Sequence, residues 1–343
     1  MERTKESYRV GPGSKEHILL VCPPVFSYHF SIIAELQAMG LRVTWWDDRG
    51  HDRIFIKIAL RLAPNAARGL LTGFFLKKLR LVAAAPISRI LIVKGDGMSV
   101  AVISALKRQF PGARLSLYLW DSVDNAPHAR QIAPMFDLVA TFDLSDAGRF
   151  GWKYRPLFAR GEVLNVQLAS GEPLYDWSFI GTLHSDRYRI VEKLRQSDPS
   201  RKTFLFGYFP SRLLLVMRVL SGLSLKKSSG WVISTSAMPA AGVSRVCRSS
   251  RATLDVEHPL QRGLTMRTIE TLLSGKKLIT TNRHILDSDL FHPSRVHVIS
   301  RQMPKVPKCF YDEPFEPLSN AIGVTYSLRH WIVDLIGTRP QEV

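Results

Sequence analysis

The amino-acid sequence predicts an α/β protein made of two doubly wound domains. Its 343 residues suit two domains rather than one, and a hydrophobic content of 45% can fill two cores. Short apolar runs typical of buried strands alternate with segments of helical periodicity, and such an alternation predicts parallel sheets covered by helices. The strands are expected at residues 17–22, 41–46, 89–93, 113–120, 137–142 and 152–157, and at residues 176–182, 202–208, 231–235, 252–256, 277–281 and 296–299.

Helices are expected between these strands. Two of them fill residues 52–82, where Pro64 and Gly69 interrupt the pattern. The remaining helices are expected from residue 27 or 28 to residue 39, after residue 99, and at residues 144–150, 186–196, 210–220, 239–247, 265–273 and 326–336. A shift in composition between residues 158 and 174 marks the domain boundary. The sequence therefore divides into a flexible tail at 1–16, an N-terminal domain at 17–168, a C-terminal domain at 169–310, and a tail with a final helix at 311–343.

The formal net charge of +18 predicts an anionic partner, such as nucleic acid, an anionic membrane surface or a phosphorylated substrate. Basic and apolar residues mix between residues 52 and 82, which fits either a membrane-surface face or two amphipathic helices packed on the sheet. Three cysteines without metal-like spacing indicate a reducing, cytoplasmic compartment. We expect neither a signal peptide nor a membrane-spanning helix, because no segment has the required apolar run.

The stretch from residue 251 to residue 282 reads as strand, loop, helix and strand. Gly263 lets a ligand approach the backbone at the start of the helix, where free N–H groups and the helix dipole favour an anion. Arg267 and Glu270 are three residues apart and share a helix face. At 1.5 Å per residue, Glu270 lies roughly 9 Å beyond the loop, which suits a ribose next to a diphosphate. The alternative is a surface Arg–Glu pair.

Three candidate catalytic residues follow strands of the first half. Asp96 lies in a glycine-rich turn after residues 89–93, and Asp121 follows residues 113–120. A carboxylate in this position can act as general base towards an acceptor hydroxyl, and the sequence does not rank the two. Either can instead cap a helix. His29 follows the first strand and is a third candidate, with a histidine on a helix surface as the alternative.

The stretch GLTMRTIETLLSGKKLITTN resembles the donor-binding motif of GT-B glycosyltransferases, and most of all that of the CgeB-type glycosyltransferase-like proteins of bacterial spore and polysaccharide clusters. The motif is filled by Gly263, Thr265, Arg267, Glu270, Gly275 and Thr280. The resemblance implies two Rossmann-like domains facing a cleft, with a C-terminal helix that crosses back to the first domain. It also implies that Glu270 contacts the donor ribose and that the loop before the helix, with Leu264, faces the diphosphate. Arg262 stands where the family carries a first Glu.

The stretch from Asp176 to Arg187 resembles the first strand and loop of a GT-B donor domain. The resemblance implies that Gly181, Thr182 and Arg187 meet the donor diphosphate, to which an arginine offers charge-assisted hydrogen bonds. LYLWDS, around Asp121, is similar to the CgeB-type proteins as well. No Asp-x-Asp sequence lies in the stretches that carry the resemblance, so the site is expected to hold no metal. The helix dipole and arginines would then neutralise the leaving diphosphate.

Together these features predict a metal-independent glycosyltransferase that uses a nucleotide-sugar as co-substrate and no other cofactor. The expected acceptor is a surface polysaccharide or a lipid-linked glycan, which suits a cytoplasmic protein at the inner face of the membrane. One alternative is a non-catalytic scaffold of the same fold in a polysaccharide assembly system, suggested by Arg262 in place of the first Glu. A nucleic-acid-binding protein is disfavoured, because the basic residues are spread along the chain without a reading motif.

Overall fold

A computed structural model describes residues 16–50, 53–82, 84–161, 172–209, 215–216 and 230–337. The chain forms two compact units, which divide at Leu157/Phe158 and again at Ser327/Leu328. Three expectations lie outside the described residues. They are the domain boundary at residue 168, the tail at 1–16 apart from residue 16, and the helix at 210–220 apart from residues 215 and 216.

The first unit is built on a six-stranded parallel sheet with the order β2-β1-β3-β4-β5-β6. The strands are β1 (His17–Val21), β2 (Arg42–Trp46), β3 (Ile87–Val93), β4 (Arg114–Leu119), β5 (Leu138–Thr141) and β6 (Lys153–Tyr154). Every residue of β1 is buried, as expected for a central strand with helices on both faces. The strand order reverses between β1 and β3, so a crevice for ligands is expected at the carboxyl ends of these strands.

The helices of this unit include two long ones between β2 and β3. The elements are α1 (Tyr28–Ala38), α2 (Arg53–Leu62), α3 (Pro64–Leu81), α4 (Val100–Gln109), α5 (Ala129–Ile132) and α6 (Leu144–Phe150). Pro64 begins α3, where a missing N–H costs nothing. Gly69 does not interrupt the helix, contrary to expectation. The buried stripe of Ala67, Leu71 and Phe75 holds α3 against the core and outweighs the roughly 1 kcal/mol that a glycine costs a helix.

The second unit contains another six-stranded parallel sheet, with the order β12-β11-β10-β7-β8-β9. Its strands are β7 (Tyr175–Thr182), β8 (Thr203–Tyr208), β9 (Trp231–Ser234), β10 (Ser250–Asp255), β11 (Lys277–Thr280) and β12 (Val296–Val298). Its helices include α7 (Arg187–Ser197), α8 (Ala240–Arg248), α9 (Met266–Leu273), α10 (Lys308–Asp312) and α11 (Asn320–Thr325). Read from β9, this is the strand order of dinucleotide-binding folds, with the reversal between β7 and β10.

The last helix, α12 (Leu328–Ile336), belongs to the first unit. Trp331 is fully buried and packs edge-on against Tyr118 of β4, with 4.8 Å between the ring centroids. The hydroxyl of Ser116 donates a hydrogen bond of 2.7 Å to the carbonyl of Leu335. The final helix thus belongs to the first unit although it follows the second along the chain, as the resemblance noted in the sequence implies. Among the described residues, no helix combines the length and hydropathy that a bilayer crossing requires.

Candidate functional site

The reversal point of the second sheet is tied together by Arg187. Its Nε donates a hydrogen bond of 2.6 Å to the carbonyl of Val256, just beyond β10, and its Nη1 donates one of 3.2 Å to the carbonyl of Thr182 at the end of β7. Burial lowers the pKa of Arg187, and the nearby carboxylates of Asp255 and Glu257 oppose that effect. Part of the predicted phosphate-binding guanidinium therefore holds two strand ends in place.

The start of α9 is fixed by Thr265, the N-cap residue. The Thr265 hydroxyl accepts a hydrogen bond of 3.1 Å from the N–H of Thr268 and donates one of 2.6 Å to Asp255. The Thr268 hydroxyl donates a second bond, of 2.8 Å, to the same Asp255 oxygen. Thr265 thus caps the helix in the usual manner, and the buried carboxylate of Asp255 anchors the helix start to the end of β10.

The loop before α9 is held from the neighbouring strand. The side-chain amide of Asn282, which follows β11, donates to the carbonyls of Gly263 and Arg262 at 3.2 and 3.3 Å. Leu264 is buried under the loop. Asn282 was not among the predicted site residues, although its position directly after a predicted strand was a usable signal.

Gly181 and Thr182 lie in β7 itself and not in the loop that follows. Gly181 pairs with Gly207 of β8. A Cβ atom added at Gly207 would lie 2.4 Å from the Leu183 side chain, so this strand pair needs small residues for packing. The loop that faces the reversal point runs from Leu183 to Asp186.

Arg301, which follows β12, crosslinks that loop to the end of β10. Its guanidinium donates to both carboxylate oxygens of Asp186, at 2.9 and 3.1 Å, and to the carbonyl of Glu257 at 2.8 Å. It also pairs with the Glu257 carboxylate. Burial lowers the pKa of Arg301, but Glu257 and Asp186 outweigh it and raise the pKa above its ordinary value. Sequence reasoning missed Arg301, because nothing in the chain order brings residue 301 next to residues 186 and 257.

Glu270 and Arg267 line a cavity between α8 and α9. The lining residues are Arg160, Val243, Ser244, Cys247, Arg248, Arg267, Glu270, Thr271 and Ser274. Nε of Arg160 donates to Oε1 of Glu270 at 2.7 Å, and Nη2 of Arg160 donates to Oε2 at 3.4 Å. The guanidinium of Arg267 makes no ion pair within the described part of the chain. The second unit therefore brings a carboxylate and several cations together in one groove.

In the first unit, Lys94 joins the two predicted bases. Its Nζ lies 2.6 Å from Oδ2 of Asp121 and 3.2 Å from Oδ2 of Asp96. The Lys94 backbone has a positive φ of 71°, unusual for a residue with a side chain, and this conformation belongs to the turn at the end of β3. Burial acts to lower the pKa of Lys94, but Asp121 and Asp96 raise it to about 12. Asp96 and Asp121 thus form one ionic group at the carboxyl ends of β3 and β4.

A further carboxylate, Asp48, lies beneath this group. Asp48 is fully buried, and neither of its carboxylate oxygens makes a hydrogen bond within the described residues. Its nearest cation is Arg49, with 3.8 Å between Nε and Oδ1. A Cβ atom added at Gly97 would lie 2.0 Å from the carbonyl oxygen of Asp48, so the turn after β3 packs directly on the Asp48 backbone. Burial raises the pKa of Asp48 to about 7.

His29 lies in the first turn of α1 and is buried rather than on the helix surface. Its ring packs on Trp45 and Phe30, with centroid distances of 4.8 and 3.9 Å. The alternative of a surface histidine is therefore wrong. Among the described residues, no group of three His, Cys, Asp or Glu side chains is placed to hold a metal ion.

Comparison with known proteins identifies the fold. No protein-family profile matches the sequence, and no curated protein is similar in sequence. Solved structures of similar fold include α,α-trehalose 6-phosphate synthase from Burkholderia multivorans, with a TM-score of 0.58, 10% identity and coverage of 94% of this chain and 96% of that one. UDP-GlcNAc 2-epimerase from Methanocaldococcus jannaschii has a TM-score of 0.51 and 11% identity, with coverage of 94% of this chain and 99% of that one. The lipopolysaccharide outer core galactosyltransferase WaaB has a TM-score of 0.50 and 12% identity, with coverage of 94% of this chain and 98% of that one.

The chain thus has the GT-B fold, with two Rossmann-like units each built on a parallel six-stranded sheet. The resemblance noted in the sequence predicted this fold. At these identities the likeness establishes the architecture, and the activity has to be argued from the side chains.

Proposed function

We propose that this protein is a metal-independent glycosyltransferase that moves a sugar from a nucleotide-sugar to a surface polysaccharide or a lipid-linked glycan. The observation that carries the proposal is the placement of Arg267 and Glu270 on one face of α9, lining one cavity in a unit with the strand order of nucleotide-binding folds. A carboxylate can accept hydrogen bonds from two ribose hydroxyls. A cation one turn nearer the helix start can meet the diphosphate.

In the proposed reaction the acceptor hydroxyl oxygen attacks the anomeric carbon of the donor sugar. The bond between that carbon and the diphosphate oxygen breaks, and the electron pair leaves with the nucleoside diphosphate. Arg267 and the N–H groups at the start of α9 stabilise the charge that develops on the leaving group. The acceptor proton passes to Asp121 or Asp96, and Lys94 holds both carboxylates in place.

Thermal shift with a panel of nucleotide-sugars and nucleoside diphosphates tests donor binding. A ligand that binds the folded protein increases the free energy of unfolding by mass action, by about 2.7 kcal/mol at a ligand concentration of 100 times Kd. The melting temperature rises as a result. Glu270→Ala should abolish the shift, whereas Glu192→Ala, which removes a glutamate that pairs with Arg195 on α7, should keep it. A shift of full size in Glu270→Ala would contradict the assignment of the ribose site.

Release of nucleoside diphosphate in the presence of acceptor tests catalysis. Removal of a general base typically costs a factor of about 10² to 10⁴ in rate. We expect such a loss in either Asp121→Ala or Asp96→Ala, with donor binding unchanged. Donor binding without turnover on any acceptor, in wild type and variants alike, would favour the second candidate, a non-catalytic scaffold. The observation that favours this candidate is Arg262 at the position where the family carries a first Glu.

We also propose that α3 contacts an anionic membrane surface. Lys77 and Leu81 follow Leu70 by seven and eleven residues, so the three lie on one face, which is turned away from the buried stripe of this helix. Leu70 is 75% exposed and Leu81 is 85% exposed. Apolar side chains flanked by lysine and arginine are typical of helices that lie in the interface of an anionic membrane.

Flotation with vesicles tests the membrane contact. Wild-type protein should float with phosphatidylglycerol vesicles and not with phosphatidylcholine vesicles. The pair Leu70→Gln and Leu81→Gln should weaken binding about tenfold, which corresponds to about 1.4 kcal/mol of lost apolar burial. Leu144→Gln removes another exposed leucine of the same unit and should have no effect. Equal binding by all three proteins would refute the assignment of this face.

A further inference from the structure

The ion pair between Arg160 and Glu270 is largely buried within the second unit. The side chains of Arg160 and Glu270 are only 8% and 13% exposed. The neighbouring Ala159 is fully buried, and its N–H donates a hydrogen bond of 2.8 Å to the carbonyl of Tyr326. The backbone directly before Arg160 is therefore fixed by packing and hydrogen bonding.

A buried ion pair is a costly way to fasten two segments. Desolvation of two charges costs several kcal/mol each, and apolar residues of similar volume often stabilise a protein as well or better. An arginine fork does something that apolar residues do not, because it fixes the plane of a carboxylate as well as its position. Here Nε of Arg160 donates to Oε1 of Glu270 at 2.7 Å and Nη2 donates to Oε2 at 3.4 Å, so the guanidinium sets the orientation of the Glu270 carboxylate.

The orientation matters for a ribose, whose neighbouring hydroxyls must meet a carboxylate in a defined plane. A carboxylate has about four acceptor directions, so a fork from one side is compatible with hydroxyl donors from another. Arg267 lies three residues before Glu270, about 4.5 Å nearer the start of the helix, on the same cavity. A diphosphate at Arg267 would therefore place its ribose beside Glu270.

We infer that Arg160 is a positioning residue that orients the Glu270 carboxylate for the two ribose hydroxyls of a nucleoside diphosphate. This inference rests on the proposed function, and it adds a residue outside the motif together with a measurable consequence. The second unit should distinguish ribonucleotides from 2′-deoxyribonucleotides, and the distinction should depend on Arg160 although Arg160 itself need not touch the ligand.

Titration calorimetry with uridine, adenosine and guanosine diphosphates and their 2′-deoxy counterparts tests the inference. Hydrogen bonds to a charged group contribute about 1.5–3 kcal/mol each, so wild type should prefer the ribo form by roughly 10-fold to 100-fold. Glu270→Gln should reduce this preference to roughly threefold or less. Arg160→Gln should do the same, and Arg160→Lys should retain an intermediate preference, because lysine supplies the charge without the fork.

Arg248→Gln is the matched control, since Arg248 lines the same cavity without bonding to Glu270. It should keep the full preference for the ribo form. Arg160→Gln removes the positive charge next to the largely buried Glu270 carboxylate and can lower stability. Arg160→Lys therefore tests the inference if the glutamine variant does not fold.

The outcomes separate the inference from the proposed function. If no nucleoside diphosphate or nucleotide-sugar binds the wild type, the proposed function fails. If the preference is lost in Glu270→Gln and kept in full in both Arg160 variants, the function stands and the role of Arg160 is overturned. A purely structural ion pair would produce that second pattern, with lower melting temperatures and an unchanged ribo-to-deoxy ratio.

Discussion

Replacing Asp48 with asparagine should make the first unit more stable as the pH rises. Asp48 is fully buried, and burial raises its pKa from 3.8 to about 7. The charges around it act in both directions: Arg49 and Lys94 favour the carboxylate, while Asp47 and Asp96 oppose it. Because the folded pKa lies above the unfolded value, the folded state binds this proton more tightly. The resulting stability is fully present below about pH 4 and is lost as the pH rises through 7.

The size of the effect follows from the shift. Each pH unit between the two pKa values is worth about 1.4 kcal/mol, so the wild type should lose about 2.5 kcal/mol relative to Asp48→Asn between pH 5 and pH 7. Urea unfolding at pH 5, 6, 7 and 8 measures the difference. Hydrogen exchange of β1 and β3 assigns it to the first unit. Asp124→Asn, at a half-exposed carboxylate of the same unit, should give no such divergence. Parallel pH profiles for wild type and Asp48→Asn would refute the reasoning.

Two further predictions concern residues at the carboxyl ends of the two sheets. Gly97→Ala should lower the free energy of unfolding by about 3 kcal/mol, because the added Cβ would lie 2.0 Å from the Asp48 carbonyl oxygen and the backbone there cannot move easily. Urea unfolding measures this cost. The control is Gly112→Ala, whose added Cβ has no atom within 4 Å. Thr265→Ala should cost about 1–2 kcal/mol through the lost helix cap and the lost bond to Asp255, measured in the same way. A cost below that of Thr325→Ala, whose hydroxyl donates a hydrogen bond to the carbonyl of Ala321 in its own helix, would contradict a contribution from the cap.

The strands were predictable because buried parallel strands leave a local pattern. Each of the expected strands is present, with ends that differ by a few residues, and the longest error is at residues 152–157, where only Lys153 and Tyr154 pair. Short helices such as α5, α10 and α11 were missed, because four to six residues carry too little periodicity to register. The unbroken α3 shows that a buried stripe can override a glycine within a helix.

The sequence predicted the motif residues of the candidate site but not the residues that bond to them from elsewhere in the chain. Arg267 and Glu270 share a face because helix geometry alone places them there, so their placement on one cavity followed from spacing. Arg160 lies 110 positions before its partner Glu270, in a segment that composition marks only as a boundary. Lys94 lies in the glycine-rich turn expected after residues 89–93, and its bridge between Asp96 and Asp121 depends on β3 pairing with β4. Long-range partners of this kind depend on topology, which residue patterns do not encode locally.

The return of α12 to the first unit has a consequence for the order of folding. Residues 158–327 form an uninterrupted unit, whereas the first unit lacks the Trp331 side chain against β4 until residues 328–336 have been synthesised. Domains usually complete themselves from the amino end during translation. In this protein the half that is begun first should be the half that is finished last, and it should depend on protection from premature association in the interval.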